Sequence, residues 1–423
     1  MNCPAYATAA AGNGTSEENE VLDMPFTPLA SSFTALGPRR TGNLRLALVA
    51  GAGSEEATES AQQLAANFVE LGYTVQLFCP HRRGDRESLE NRPGYREIPL
   101  PALPLPGGFA RVWQAEEVDA VYILGVGSFG LVAALAAKQC ALPVSFAPSM
   151  TNTIQRPFWH RALCTLADEA IATESSQAQR LREQGCRRVR VVPEGIDLQS
   201  FNPRQRSHSL RYQWGVRADT PVLAHVGPVH DPITADYLRA TMDALLETVP
   251  DARLLLIQAG RIPAQLQALR PLRGETCRHR TTGWPGSERE SSLAVLLASA
   301  DLLMVANSDH CPSLIPLAQA CGMAVIARHD ERSHLHLEDS HNGFLVGNED
   351  VEANCTDFSN TVRHALAAPL ALAKLRLRAP ASIAHLERRR TADQLAATLA
   401  EMARTHARRR CNADAWIIPV ADF

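Results

Sequence analysis

Four groups of residues have types and spacing from which a chemical site can be built. Gly125-Val126-Gly127-Ser128-Phe129-Gly130 matches G-x-G-x-x-G, the turn by which a strand hands a pyrophosphate to a helix N-terminus. A dinucleotide site of this kind also needs an acidic residue about 20 positions on, for the ribose. After Gly130 the next acidic residue is Asp168. The same glycines serve equally as a tight turn that lets a helix pack close to its sheet, and that is the reading adopted. His329, His334, His336 and His341 lie among Asp330, Glu331, Glu338 and Asp339, a set that zinc accepts. The stretch is also polar enough for an exposed loop with surface histidines, the reading preferred, so neither metal nor cofactor is expected. Cysteines stand at 3, 79, 140, 164, 186, 277, 311, 321, 355 and 411 with no C-x-x-C pair, which argues against a zinc ribbon or thioredoxin-like site. Lys138 and Lys374 are the only lysines. Neither lies in G-K-[ST], so there is no Walker A loop, and a Schiff-base lysine would have to be one of these two. No G-x-S-x-G, H-E-x-x-H or EF-hand pattern occurs.

The elements that must carry such residues follow from composition and periodicity. A chain of 423 residues suggests two or three domains. With 45% hydrophobic and 21% charged residues, wholesale disorder and fibre are excluded. Basic and acidic residues nearly cancel, 42 − 45 = −3, so no electrostatic footprint for nucleic acid or an anionic membrane is present. Residues 120–137 carry no charge, but three glycines within them fit a buried strand, turn and helix better than a membrane span. Residues 1–42 are rich in Ala, Gly, Ser, Thr and Pro and lack a basic region followed by an apolar run. They are expected to form a flexible extension outside the packed core, Phe26 and Phe33 included, and not a secretory signal. With dispersed cysteines, this points to a reducing cytoplasm.

From residue 44 short apolar runs alternate with helical patterns. Runs at 44–50, 74–78, 119–124, 144–146, 167–172 and 189–192 enclose helical stretches at 55–71, 131–140 and 175–184, while 101–108 reads as a Pro/Gly-rich loop. A second series has strands at 221–226, 253–257, 302–305 and 324–326, with helices at 235–248, 291–300 and 314–321. Ala-rich helices follow near 359–367 and 391–404. Strand–helix–strand repetition at this spacing argues parallel sheets in two successive α/β modules.

Several of these stretches together resemble the nucleotide-sugar glycosyltransferases of family 4, which have the GT-B fold. Ala167-Asp168, Ser175-Ser176, then Val191-Val192-Pro193-Glu194-Gly195-Ile196-Asp197 and Phe201-Asn202-Pro203 resemble the family's "AD … S … V-x-P-x-G-V-D-x-x-x-F-x-P". Leu223 to Gly227, Ala298-Ser299-Ala300-Asp301, the run from Ala318 to Val325, and Asn342-Gly343-Phe344-Leu345-Val346 resemble segments of its second domain. Order and spacing, more than any single piece, carry the resemblance, which runs from about 44 to 400. It implies two Rossmann-like domains facing across a cleft, the acceptor-side one at 43–201 and the donor-side one at 216–380. A hinge is expected near 202–212, and residues 381–423 are expected to form a C-terminal helix and tail that crosses back.

The chemistry-bearing positions depart from the family. Glu55-Glu56 stand near the family's Gly-Gly turn, and Ala147 where a His is common. Gly227 is followed by Pro228-Val229-His230-Asp231-Pro232, without the Arg and Lys that neutralise a diphosphate there. Each lost donor of this kind costs roughly a hundredfold or more in rate. The family's paired Glu fall on Asp309 and Leu317. The resemblance therefore implies a divergent glycosyltransferase taking a UDP- or GDP-sugar, with no catalytic residue assigned. Its candidate donor site is Gly227, Arg261, Asp309, His310, Ser313, Leu314 and Leu317. Asp309 would accept from sugar hydroxyls, Arg261 and His310 would supply cations, and Ser313 and Leu314 backbone N–H groups. Leu317 would give an apolar wall. The alternative is a non-catalytic protein of the same fold that stabilises or targets an active protein partner. A more distant class, an epimerase or dehydrogenase, would use the 125–130 turn.

Overall fold

In a computed structural model of the chain, the described residues are 44–414 apart from 52–54, 81–93, 102–103, 149–156, 228, 230–231, 260–274, 282–286, 308–312, 331 and 348–353. The expectations for residues 1–42, Phe26 and Phe33 among them, lie outside the described residues, as do those for Arg261, Asp309 and His310.

The first module contains β1 (Arg45–Ala50), α1 (Glu55–Glu70), β2 (Thr74–Pro80), β3 (Tyr95–Leu100), α2 (Pro106–Glu116), β4 (Ala120–Leu124) and α3 (Ser128–Gln139). It continues with β5 (Val144–Ala147), α4 (Pro157–Leu166), β6 (Glu169–Ala172), α5 (Ser175–Glu183) and β7 (Val189–Val191). Its strands form one sheet in the order β3-β2-β1-β4-β5-β6-β7. The second module contains α6 (His208–Gln213), β8 (Val222–Val226), α7 (Pro232–Leu246), β9 (Arg253–Ala259), β10 (Glu275–Thr281), α8 (Ser287–Ser299) and β11 (Leu302–Val305). It ends with α9 (Leu314–Ala320), β12 (Ala324–Arg328), α10 (Ser333–His336), β13 (Phe344–Val346), α11 (Cys355–Ala367) and α12 (Pro369–Ser382), and α13 (Arg388–Asp414) follows and packs on the first module. Its sheet runs β10-β9-β8-β11-β12-β13, and the strand pairings within both sheets are parallel. The two predicted series are thus two separate sheets.

Each sheet is buried on both faces, which is why its strands read as unbroken apolar runs. Along β1, Ala47 and Val49 join a cluster with Phe78, Phe109, Trp113 and Phe129 under α2–α4. Leu46, Leu48 and Ala50 face the other way, onto α1 and α13. Three aspartates stand just ahead of strands and accept the first N–H of the neighbouring strand. Asp119 takes Arg45 N at 2.9 Å, Asp168 takes Val144 N at 2.9 Å, and Asp301 takes Val222 N at 2.9 Å. Asp119 and Asp301 do so at the points where chain order and strand order part, β1 beside β4 and β8 beside β11, and Asp168 does so between the successive strands β5 and β6. The "A-D" pieces at 167–168 and 300–301 owe their aspartates to this role.

The structure departs from the sequence reading in the connections. Residues 101–108 hold the start of α2, because Pro106 at the first helical position has φ preset and needs no N–H partner there. Elements β3, α4 and β10 lack the patterns used to find strands and helices. Residues 202–212, expected as a hinge, and the four that follow are packed into the second module. Arg211, only 2% exposed, donates to Ser299 O and Asp301 Oδ2 at 2.9 and 3.0 Å, and Trp214 and Val216 join its core. Residues 329–341 include the short helix α10, with Ser333 fully buried. Among the described residues, no group of three or more His, Cys, Asp and Glu has the geometry to hold a metal ion. No described helix is long and apolar enough to cross a membrane.

Candidate functional site

In an open parallel sheet, ligands sit beyond the carboxyl ends of strands where strand order reverses. Each sheet has one such point, between β1 and β4 and between β8 and β11. At the first, glycines fill the space. Gly51 N donates to Leu124 O at 2.7 Å, and Gly130 N donates to Gly51 O at 3.2 Å. A Cβ on Gly130 would lie 3.0 Å from Gly51 Cα and 2.8 Å from the Ile123 side chain. The G-x-G-x-x-G turn therefore serves close packing of α3 on β1 and β4, as read from the sequence.

At the second reversal, Gly227 closes β8 and the segment 306–313 leaves β11. Gly227 has φ +124, the left-handed region that favours glycine. Its N–H is taken by Ile257 O at 2.9 Å, so it shapes the floor and offers no donor. Ser313 ends the segment just before α9, and the N–H groups of a helix's first turn have no intrahelical partner. Its hydroxyl donates to Glu194 Oε2 of the first module at 2.6 Å. Leu314 and Leu317 are 3% and 9% exposed, and both join the core of the second module. The structure thus brings Gly227, Ser313 and Leu314 to one end of one sheet. It turns Leu317 into the core, more a packing residue than an open wall. The backbone of Glu55 and Glu56 opens α1; the loop 52–54 before it lies outside the described residues.

Several residues near this end had no donor-site role in the sequence reading. Arg328 ends β12, next to β11. Its guanidinium donates to Ala306 O at 3.4 Å and lies over the Tyr237 ring, 5.4 Å from its centroid. Glu174 precedes α5 and reaches Arg332 across the seam between modules at 3.5 Å, with 10% and 19% of the two side chains exposed. His336 lies nearby. Burial pushes its pKa down, Glu174 pulls it up, and His385 pushes it further down. No motif marked Arg328, because strand-end arginines have no spacing signature. Glu194 lay inside a quoted motif without a role.

That motif is explained by the C-terminal crossing. A Cβ on Gly195 would collide with Thr391 and approach Arg388 Cα to 2.8 Å. Ile196 and Arg388 exchange strand-like hydrogen bonds across the Leu386–Arg388 segment: Ile196 N donates to Leu386 O and Arg388 N to Ile196 O, both at 2.8 Å. Asp197 Oδ1 accepts from Gln199 N and Ser200 N at 2.9 and 3.1 Å, and Oδ2 faces Arg388 at 3.6 Å. The run from Pro193 to Asp197 is thus the socket into which the start of α13 fits. From there α13 returns along the first module, where Glu401 meets Arg190 at 2.7 Å.

Comparison with known proteins agrees with this architecture. Residues 57–195 match the glycosyl transferase 4-like domain. A D-inositol 3-phosphate glycosyltransferase of Nocardiopsis dassonvillei is 30% identical over 241 residues, 54% of this chain and 54% of that protein. The chain thus spans about half the length of that relative. A GDP-mannose-dependent alpha-(1-6)-phosphatidylinositol dimannoside mannosyltransferase of Mycobacterium tuberculosis is 26% identical over 334 residues, covering 72% of this chain and 80% of that one. Among solved structures, the Anabaena protein HepE in complex with UDP-glucose superposes with a TM-score of 0.62 at 19% identity, over 85% of this chain and all of that one (100%). The chain has the GT-B fold, carries a glycosyl transferase 4-like domain in its first module, and resembles the family 4 glycosyltransferases.

Proposed function

We propose that this protein is a divergent glycosyltransferase that moves a sugar from a UDP- or GDP-sugar to an acceptor. The observation that carries the proposal is the reversal of strand order between β8 and β11. The floor at Gly227, the start of α9 at Ser313 and Leu314, and the Arg328 cation all lie at the carboxyl ends of that sheet. A diphosphate seated there would meet the N–H groups at Ser313 and Leu314, with the Arg328 guanidinium two strands from Gly227 in place of the family's missing Arg and Lys. The sugar would lie toward Asp309 and His310, assigned by their place in the sequence between β11 and α9, with Arg261 a second cation assigned in the same way. Glu194 would have to release the Ser313 hydroxyl as the anion arrives. A relative named for its dependence on GDP-mannose and a structural neighbour in complex with UDP-glucose support a nucleotide-sugar donor.

A second reading is favoured by one specific feature. Leu317, which falls where the family's second Glu would hold the ribose, is a buried core residue with no polar group to offer. A non-catalytic partner protein would keep this scaffold and lose that contact. A thermal-shift screen against UDP-, GDP- and ADP-sugars separates the two. Binding raises the melting temperature by mass action, and the transferase reading expects a rise with one nucleotide class that Asp309→Ala removes. No rise with any donor, together with restored binding in a Leu317→Glu, Pro228→Arg double variant, would establish the non-catalytic reading.

A further inference from the structure

Helix α13 is longer than its packing requires. Of its 27 residues, Ala392, Leu395, Ala396, Leu399 and Met402 form the stripe that seats it on the first module. Glu401 marks how far it has come: it meets Arg190, whose Nε also binds Glu169, the first residue of β6, at 2.6 Å. The helix thus runs from the carboxyl ends of the first sheet, at Ile196, toward its amino ends. Past Met402 the same spacing brings His406, Arg409 and Arg410 to the stripe, and none of the described side chains after Met402 is buried. The last turns, 403–414, therefore extend about 18 Å beyond the apolar seam. Arg404 and Arg408 stand one turn apart there, Arg409 and Arg410 follow, and no acid lies between Glu401 and Asp414. Arg404, Arg408 and Arg409 are exposed. Cations suit a helix C-terminus, but like charges four apart destabilise the helix that carries them. The sequence that follows is Ala415-Trp416-Ile417-Ile418-Pro419-Val420, so a basic helix end leads directly into an aromatic and aliphatic run.

We propose that the end of α13 and the segment 416–420 dock the protein onto an anionic lipid bilayer. The arginines meet lipid phosphates, Trp416 sits at headgroup level, and Ile417, Ile418 and Val420 reach the acyl boundary. Charge complementarity selects this occupant. A second copy of the chain would set arginine against arginine. A nucleic acid or an acidic protein would satisfy the arginines but gives the aliphatic run no reason to stand beside them, whereas a bilayer interface takes both. Stable attachment without crossing the membrane needs two signals, and a polybasic patch beside an apolar segment supplies two. The near-zero net charge of the chain hid this cluster because the sum ignores position, while a charged surface acts only within a Debye length, about 8 Å. None of these residues belongs to the proposed donor site, so lipid docking and donor binding are separately testable.

The test sediments the full chain with vesicles of phosphatidylcholine alone or with about one third phosphatidylglycerol, at low salt. The chain should pellet with the anionic vesicles, stay in solution with the neutral ones, and come off the lipid at about 0.5 M salt. Arg408→Gln, Arg409→Gln and Arg410→Gln together should weaken partitioning about a hundredfold, since each arginine near such a surface contributes roughly fivefold. The melting temperature of this variant should match the wild type, because the core ends at Met402. Trp416→Ser, Ile417→Ser and Ile418→Ser together should weaken partitioning about tenfold or more. The proposal is overturned if the wild type stays in solution with anionic vesicles, or if the triple glutamine variant pellets as well as the wild type. Undiminished pelleting of the triple serine variant overturns it too, as does tighter binding to duplex DNA than to the anionic vesicles at the same salt, because either result makes the arginines a site for any polyanion. The vesicle and DNA comparisons use the wild type, so they stand even if a variant fails to fold.

Discussion

Asp301 shows how much one carboxylate does in this fold. Oδ1 accepts from Arg206 at 2.8 Å and Arg376 at 3.2 Å, and Oδ2 from Arg211 at 3.0 Å and from Val222 N. The excess positive charge is met by carbonyls at the end of α8, where Arg206 donates to Ala298 O and Ala300 O. Removing the one acid leaves the buried Arg211 and the partly exposed Arg206 and Arg376 without their counter-ion, and breaking a buried pair costs about 3–5 kcal/mol. Asp301→Ala should therefore lower the unfolding free energy read from urea denaturation by that much; a loss under about 1 kcal/mol would show that the carbonyls alone suffice. Asp197 gives a pH-dependent counterpart. Burial alone would raise its pKa, but the Ser200 hydroxyl and N–H, Arg388 and the Gln199 N–H outweigh burial and hold it below the ordinary value. A carboxyl depressed in the folded state adds stability above its unfolded pKa, about 4, and loses it as pH falls through the folded value. Melting temperature should fall more steeply with acid below about pH 4 in the wild type than in Asp197→Asn. Parallel acid limbs would contradict this.

At the scale of elements, the strands were legible because both sheets are buried on both faces, so apolar runs at 44–50, 119–124 and 302–305 had no other use. The helices of the first module were half legible. α1, α3 and α5 show their periodicity, whereas α2 hides behind Pro106 and two glycines. The segment 202–216 read as a linker because Asn, Pro, Arg, Gln and Ser dominate it. Its burial comes from ion pairing to Asp301, a long-range contact without local pattern. The V-x-P-x-G-x-D run was visible as a motif, but its purpose lies nearly 200 positions away, where α13 begins. The glycine there is a packing requirement. Gly195→Ala forces a Cβ onto Arg388 Cα and Thr391, and overpacking of this kind costs about 1–3 kcal/mol. Proteolysis should then release the segment from residue 388 onward faster than in the wild type. An unchanged digestion pattern and melting temperature would show that α13 is held by its own apolar face alone.

At the scale of the whole molecule, two parallel sheets with a returning C-terminal helix were foreseeable from alternation and from the order of weak motifs together. The proposed donor site was legible only as a place. Gly227, Ser313 and Leu314 do meet at one sheet end, but Leu317 has gone into the core and Ser313 is engaged by Glu194 from the other module. Arg328 carried no signal in the sequence, because its position depends on strand order and not on spacing. The central claim is that a nucleotide sugar sits at the reversal between β8 and β11. Difference density from crystals grown with the donor giving the largest thermal shift tests it most directly. The account predicts the diphosphate between Gly227 and the start of α9, within reach of Arg328, with Glu194 turned away from Ser313. Density at the 125–130 turn instead, or an empty second module at saturating donor, would contradict it.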